Sequence, residues 1–314
     1  MRITKAVITA AGRGARQFPA FDAVQKAMTP LVDRDGLAKP VLQVIAEEAI
    51  EAGIEEICVV SAPEDETYYR RHFESFAANL RANPGGSAEQ AQRMEEVAGR
   101  LRFAVQAEPL GYGHAVWTAR DFAADQPVLL LLGDHVYISR EGRRCARQLM
   151  DLAASEGCAV SAVQSTREHL IGQYGTIGGR RLPDQEGIYQ IDEILEKPNP
   201  TLAELRLQIP GLKAGHYLCF FGMHVVTSTV FDLLGAIIRE DRRELGSIQL
   251  TTALDELARR ERYLALETRG ARYNLGTRFG VVEAQIALAL AGVDRDRMLT
   301  TLLESVVRVE QGAG

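Results

Sequence analysis

The chain has 314 residues, 46% of them hydrophobic, which is enough to bury one large α/β core or two smaller ones. A net charge of −6 argues against general nucleic-acid binding and leaves room only for a local basic pocket. No apolar run approaches the roughly 20 residues that span a bilayer, and the N-terminus carries no basic-apolar-small leader pattern.

The first strand is predicted at Ala6-Val7-Ile8. It breaks into the small-residue loop Ala10-Ala11-Gly12-Arg13-Gly14, where backbone N–H groups can approach a polyphosphate. Arg16 and Lys26 follow, so the loop is a candidate anion site with two cations behind it. It is neither of the two commonest nucleotide loops. Phe18-Pro19 prevents the helix that a dinucleotide fingerprint would open, and no Gly-Lys-Ser/Thr is present.

Apolar residues at 41, 42, 45, 49 and 50 have helical spacing, and Gly53 ends that helix. Ile57-Cys58-Val59-Val60 is the next buried strand. This β-α-β order predicts a parallel sheet. Residues 64 to 100 are polar and helical, interrupted by Asn83-Pro84-Gly85-Gly86, and are expected to form a peripheral insertion. Phe103 to Gln106 is a strand, and Gly111-Tyr112-Gly113-His114 opens a helix reaching about Ala123. His114 is expected to pack at the start of that helix.

Val128 to Leu132 is the clearest strand, and it ends in Gly133-Asp134-His135. A carboxylate at the carboxyl end of a buried parallel strand sits where open α/β sheets place their ligands. It can hold a divalent cation against phosphate oxygens. A helix over 141–155 and a strand over 158–164 come next. Tyr174-Gly175 precedes a strand over 188–195, which ends in Glu196-Lys197-Pro198. Residues 215 to 225 are strand-like, 231 to 238 helical, and Ile248-Gln249-Leu250-Thr251 starts another helix. A late strand at 263–266 leads to Tyr273-Asn274-Leu275-Gly276. Residues 278 to 310 form two final helices that either pack on the sheet or join subunits. The four cysteines, Cys58, Cys145, Cys158 and Cys219, form no CxxC pair, and the three in or beside apolar runs are expected as buried thiols of a reducing compartment.

The first stretch resembles the signature of the sugar-nucleotide pyrophosphorylases, which join a nucleoside triphosphate to a sugar 1-phosphate. Gly12, Gly14, Arg16, Pro19, Lys26, Met28, Pro30 and Leu31 match it. Ala15, Phe21 and Gln25 depart from it. The Leu-Gly-x-Gly-His-Ala, Gly-Asp-His, Tyr-Gly and Glu-Lys-Pro segments follow in the family's order, so the resemblance runs from Lys5 to about Leu290. It implies one domain over residues 1–314, an α/β fold with a Rossmann-like, mixed but mostly parallel central sheet flanked by helices. The Ile-Gln-Leu-Thr segment is similar to the bacterial UDP-glucose branch.

The resemblance also implies residue roles. Ala10, Ala11, Gly12, Gly14, Gln106 and Gly111 would contact the nucleotide. Gly175, Glu196 and Gly215 would contact the sugar, and Arg16, Lys26 and Lys197 would neutralise phosphates. Asp134 and Asn274 would hold Mg²⁺. Asn274 stands where the family usually has Asp, which removes one negative charge but keeps an oxygen donor. The implied partners are UTP and glucose 1-phosphate, in a cytoplasmic homo-oligomer with no nucleic acid and no membrane. Another nucleotide and sugar pair is the nearest alternative. A weakly catalytic homologue that binds a sugar nucleotide and regulates a partner is the alternative of a different class.

Overall fold

The computed structural model describes residues 1–12, 25–82 and 88–312. Arg16 and Gly14 lie outside them, as do the departures Ala15 and Phe21. The strands of the described residues, in chain order, begin with β1 (Lys5–Thr9), β2 (Pro30–Val32), β3 (Ala38–Pro40), β4 (Glu56–Ser61) and β5 (Leu101–Val105). Then come β6 (Val128–Leu132), β7 (His135–Ser139), β8 (Ala159–Arg167), β9 (Gly175–Arg181) and β10 (Ile188–Glu196). The last three are β11 (His216–Val226), β12 (Tyr263–Glu267) and β13 (Gly270–Asn274).

Nine strands form the main sheet in the order β5-β4-β1-β6-β11-β8-β12-β10-β9. The first four are mutually parallel, with Val7 of β1 opposite Cys58 of β4 and Leu130 of β6. β11 runs antiparallel to both β6 and β8, and β12 is parallel to β8. β10 is antiparallel to β12 and to β9. Following these pairings, only β11 and β10 oppose the direction of β1. The sheet is therefore mixed and mostly parallel, as expected. Two small ribbons, β13 with β7 and β2 with β3, stand beside it.

The central strands are continuously apolar because both faces are covered. Side chains alternate across the sheet. Ala6, Ile8, Leu129 and Leu131 join one core with the helices Val41–Glu51 and Cys145–Glu156. Val7, Val128 and Leu130 join the other core with the helices Tyr112–Thr118, Thr229–Arg239 and Leu250–Arg260. Gly53 closes the first helix, with φ +105° and its N–H donating to the Ile50 carbonyl at 2.9 Å.

The polar stretch 64–100 forms two helices, Asp65–Ala82 and Ala88–Arg100. Tyr69, Phe73 and Ala77, spaced by four, bury their side chains in the first core together with Met94. An Arg81–Glu95 ion pair at 2.6 Å links the two helices at their exposed side. The helix expected to run to Ala123 is divided at Ala119 into Tyr112–Thr118 and Arg120–Ala123. The chain ends in helices Gly280–Leu290 and Arg295–Gly312. The four cysteines are buried free thiols. Among the described residues no helix is long and apolar enough to cross a membrane.

Candidate active site

The carboxyl ends of β1, β4, β5 and β6 open onto one cavity of about 1250 Å³. It is larger than most small-ligand pockets and has room for a nucleotide and a sugar together. Its position, outside the ends of parallel strands, is where open α/β sheets bind ligands.

β1 delivers Ala10, Ala11 and Gly12 to the rim. The Ala10 N–H donates to the Val60 carbonyl at 2.7 Å, which fixes the start of the loop. β5 delivers Gln106, whose Nε2 donates to the Gly111 carbonyl at 3.1 Å. Nε2 also stands 3.0 Å from His114 Nδ1. His114 therefore packs structurally at the helix start, stacked on Trp117, as expected. Gly111 has φ +131°, and a Cβ there would stand 2.5 Å from the Ile248 carbonyl oxygen. Only glycine fits, because the turn is clamped on both sides. Ile248 N donates to Leu110 O at 2.8 Å, and Gly113 N donates to Ile248 O at 2.9 Å.

β6 delivers Gly133 and Asp134. Lys26 Nζ donates to Asp134 Oδ2 at 3.1 Å, and His135 Nδ1 lies 2.8 Å from Asp134 Oδ1. A carboxylate only accepts, so His135 donates from Nδ1. Burial pushes the Asp134 carboxyl up, but the His135 bond and the His135 and Lys26 charges outweigh it and hold it well below the ordinary carboxylate range. Asn274, at the end of β13, accepts from Gly276 N at Oδ1, 2.8 Å away. Asn274 Oδ1, Asp134 Oδ2 and Lys26 Nζ all lie within 3.4 Å of the point where a Cβ on Gly276 would stand. Two oxygen donors thus converge on one spot, with the Lys26 ammonium beside them. One carboxylate and one amide oxygen make a donor set suited to Mg²⁺, which takes much of its shell from substrate phosphates and water.

A second acidic cluster, Asp33, Asp35 and Glu47, holds a different cation. Lys39 Nζ sits among these carboxylates at 2.9, 2.6 and 2.7 Å. Burial lowers the Lys39 pKa, and the three carboxylates more than reverse that, raising it above the ordinary lysine value. The cluster is an ion-pair cage, not a metal centre.

On the far side, Glu196 of β10 pairs in register with Gly175 of β9. Lys197 Nζ lies 3.2 Å from Glu196 Oε1, and both residues line the cavity. Lys197 has φ +46°, a region costly for a residue with a Cβ. Strained backbone of this kind clusters at functional sites. Gly175 also lines the cavity, but its missing side chain admits its neighbours. A Cβ there would stand 2.7 Å from both Phe220 Cδ2 and Thr251 Cγ2.

Gly215 does not reach the cavity. It lies in an exposed turn before β11, accepting from Glu168 N at 2.9 Å. Phe220, the first residue of β11 on the cavity wall, is five residues further on, about 17 Å along an extended strand. The glycine of β11 that does line the cavity is Gly222, with φ +88° inside the irregularity between Phe220 and His224. Arg272 was also not singled out from the sequence. It lies two residues before Asn274 on β13, so the two-residue period places both on one face.

The profile of the family described as "Nucleotidyl transferase" matches residues 5–289. The chain belongs to the nucleotidyl transferase family. Among relatives, the UTP–glucose-1-phosphate uridylyltransferase YngB of Bacillus subtilis is 34% identical, over 98% of this chain and 97% of its own length. The UTP–glucose-1-phosphate uridylyltransferase of Streptococcus pyogenes is 32% identical, covering 92% of this chain and 90% of that protein. Among solved structures, an apo UDP-glucose pyrophosphorylase aligns with a TM-score of 0.76 at 27% identity, over 91% of this chain and 98% of the other. A UDP-glucose pyrophosphorylase complexed with UDP-glucose aligns with a TM-score of 0.73 at 26% identity, with the same coverage. This nucleotidyl transferase thus shares the fold of those pyrophosphorylases, and its cavity gathers eleven of the residues that the sequence resemblance proposed for the site: Ala10, Ala11, Gly12, Lys26, Gln106, Gly111, Asp134, Gly175, Glu196, Lys197 and Asn274.

Proposed function

We propose that the protein is a uridylyltransferase that forms UDP-glucose and pyrophosphate from UTP and glucose 1-phosphate. The observation that carries the reading is the distribution of charge in one cavity. Lys26 and Asp134 lie on its strand-end side, and Lys197 lies on the β9–β10 side. The names of the relatives, at 32–34% identity over most of the chain, support the choice of substrates.

The reaction is an in-line displacement. A phosphate oxygen of glucose 1-phosphate forms a bond to the α-phosphorus of UTP. The bond from that phosphorus to the oxygen bridging to the β-phosphorus breaks, and its electron pair leaves with pyrophosphate. No protein nucleophile is needed, so positioning and charge neutralisation dominate. In this reading Lys26 neutralises the nucleotide phosphates and Lys197 holds the sugar phosphate. Glu196 accepts from sugar hydroxyls in this reading, and the backbone about Ala10, Ala11 and Gly12 contacts the nucleotide. Asp134 and Asn274 would hold Mg²⁺, which supplies Lewis-acid neutralisation of phosphate oxygens. Arg16 is assigned to the leaving phosphates by resemblance, and Gly14 to the nucleotide.

We further propose a cytoplasmic homo-oligomer. Helix Arg295–Gly312 supports self-association, since Leu299, Leu303, Val306 and Val307 line up at helical spacing and are 40–61% exposed. Light scattering checks this, and a monomer at micromolar concentration would count against it.

A matrix of nucleoside triphosphates against sugar 1-phosphates, scored by Mg²⁺-dependent pyrophosphate release, tests the activity. UTP with glucose 1-phosphate is expected to give the highest kcat/KM. Asn274 favours one other reading, a weakly catalytic regulatory homologue, because it removes a negative charge from the candidate metal site. Absence of pyrophosphate with every pair would favour that reading instead.

A further inference from the structure

Arg272 is a half-buried cation with no carboxylate beside it among the described residues. Its Nη1 donates to the Phe220 carbonyl at 2.6 Å. Its guanidinium carbon stands 4.0 Å from the centre of the Tyr174 ring, a cation–π contact. Its Nη2 is buried and has no hydrogen-bond partner. Elsewhere this chain treats a buried cation differently, surrounding Lys39 with three carboxylates. A guanidinium stays protonated and is costly to bury without a counter-charge. An anion in the cavity that Arg272 lines would supply that counter-charge.

The neighbours of Arg272 indicate which anion. Asn274 projects from the same face of β13, two residues on, about 7 Å away along the strand. On the other side stands Tyr174, whose carbonyl accepts from Lys197 N at 3.1 Å. Arg272 is thus between the Asp134–Asn274 pair and the Glu196–Lys197 edge. Gln106 and Gly111, the candidate nucleotide contacts, follow β5 at the opposite end of the sheet order from β9 and β10. A sugar hydroxyl in this position would leave the charge uncompensated, whereas a phosphate would not.

We infer that Arg272 is a phosphate-binding residue of the acceptor half of the site. It takes an oxygen of the sugar 1-phosphate at the part of its guanidinium that faces the cavity, while the Tyr174 ring fixes its plane. The inference rests on the transferase reading for the identity of the acceptor, and on the unpaired guanidinium for its charge.

Arg272→Gln and Arg272→Lys are compared with the unaltered protein by steady-state kinetics and by calorimetric titration with glucose 1-phosphate without nucleotide. Arg272→Gln is expected to raise KM for glucose 1-phosphate at least 30-fold, with KM for UTP changed less than 3-fold. Arg272→Lys keeps the charge but loses the fork, and is expected to give a rise of about 10-fold. Titration should show weakened glucose 1-phosphate binding in the same order, while uncharged glucose distinguishes none of the three proteins. Equal rises in both KM values, or unchanged anion binding in folded Arg272→Gln, would overturn the assignment. If Arg272→Gln does not fold, the same criteria apply to Arg272→Lys. If the unaltered protein releases no pyrophosphate with any pair, the transferase reading fails by itself. The titration then still decides whether Arg272 binds a phosphate.

Discussion

Lys197 and Asp134 carry opposite charges on facing parts of the cavity, and each is held against a cost, Lys197 of backbone strain and Asp134 of burial. Lys197 sits in the left-handed region, where a Cβ costs about 1–2 kcal/mol. Lys197→Gly is expected to fold at least as stably as the unaltered protein while raising KM for glucose 1-phosphate at least tenfold. Lys197→Ala loses the same cation but keeps the strain. Thermal unfolding with substrate titration separates the two, and a similar rise in KM for UTP would count against Lys197 as the sugar-phosphate cation. Asp134 is ionised through the neutral range because His135 and Lys26 hold its carboxyl down. Asp134→Ala is expected to lower Mg²⁺-dependent turnover at least 100-fold. Turnover that survives intact would place the metal site elsewhere.

At the scale of elements, two loops hold the site by contacts that tolerate no added atoms or lost charges. The Gly111 turn is pressed against Ile248 ahead of the helix Leu250–Arg260. Gly111→Ala forces a strained φ and a clash with backbone, so the turn must move. KM for UTP is expected to rise several-fold with a measurable loss of Tm, and unchanged values for both would show that the turn does not form part of the nucleotide site. The Lys39 cage ties β3 and the turn before it to the helix Val41–Glu51, through Asp33, Asp35 and Glu47. Lys39→Met leaves the buried Asp33 and Glu47 carboxylates without this cation, while Asp35 keeps Arg93, and is expected to cost about 3–5 kcal/mol in denaturant unfolding.

Over the whole molecule, the helices Val41–Glu51 and Cys145–Glu156 are joined by the buried carboxyl of Glu48. Its Oε1 accepts from Ala146 N at 2.9 Å, and Arg144 approaches Oε2 at 3.4 Å. Burial pushes this carboxyl up to about 7, opposed by the Ala146 hydrogen bond and the Arg34 charge. A group raised on folding favours the folded state fully at pH below its unfolded value near 4.5, and loses that contribution as pH rises through about 7. Stability should therefore fall between pH 5 and 8. Glu48→Gln, which keeps an acceptor for Ala146 N, is expected to flatten that fall by about 2 kcal/mol. Urea unfolding at the two pH values checks it, and parallel curves would exclude Glu48 as the source.

The sequence by itself determined the alternation of strand and helix, because strands covered on both faces read as unbroken apolar runs and helices as 3.6-residue periods. The resemblance carried most of the candidate site, and Gly12, Gln106, Asp134 and Glu196-Lys197 stand at or just beyond strand ends that the pattern marks. The tertiary structure alone decided what depends on residues distant in the chain. Gly222 lines the cavity and Gly215 does not, because β11 carries the chain from the exposed Gly215 turn to the cavity wall and its irregularity turns Gly222 toward it, and local composition does not encode either. The acidic cluster holds Lys39 and not a metal, and Arg272 stands unpaired, for the same reason. Whether a buried charge is compensated is fixed by what folds against it, here Phe220 and Tyr174, some 50 and 100 positions away along the chain.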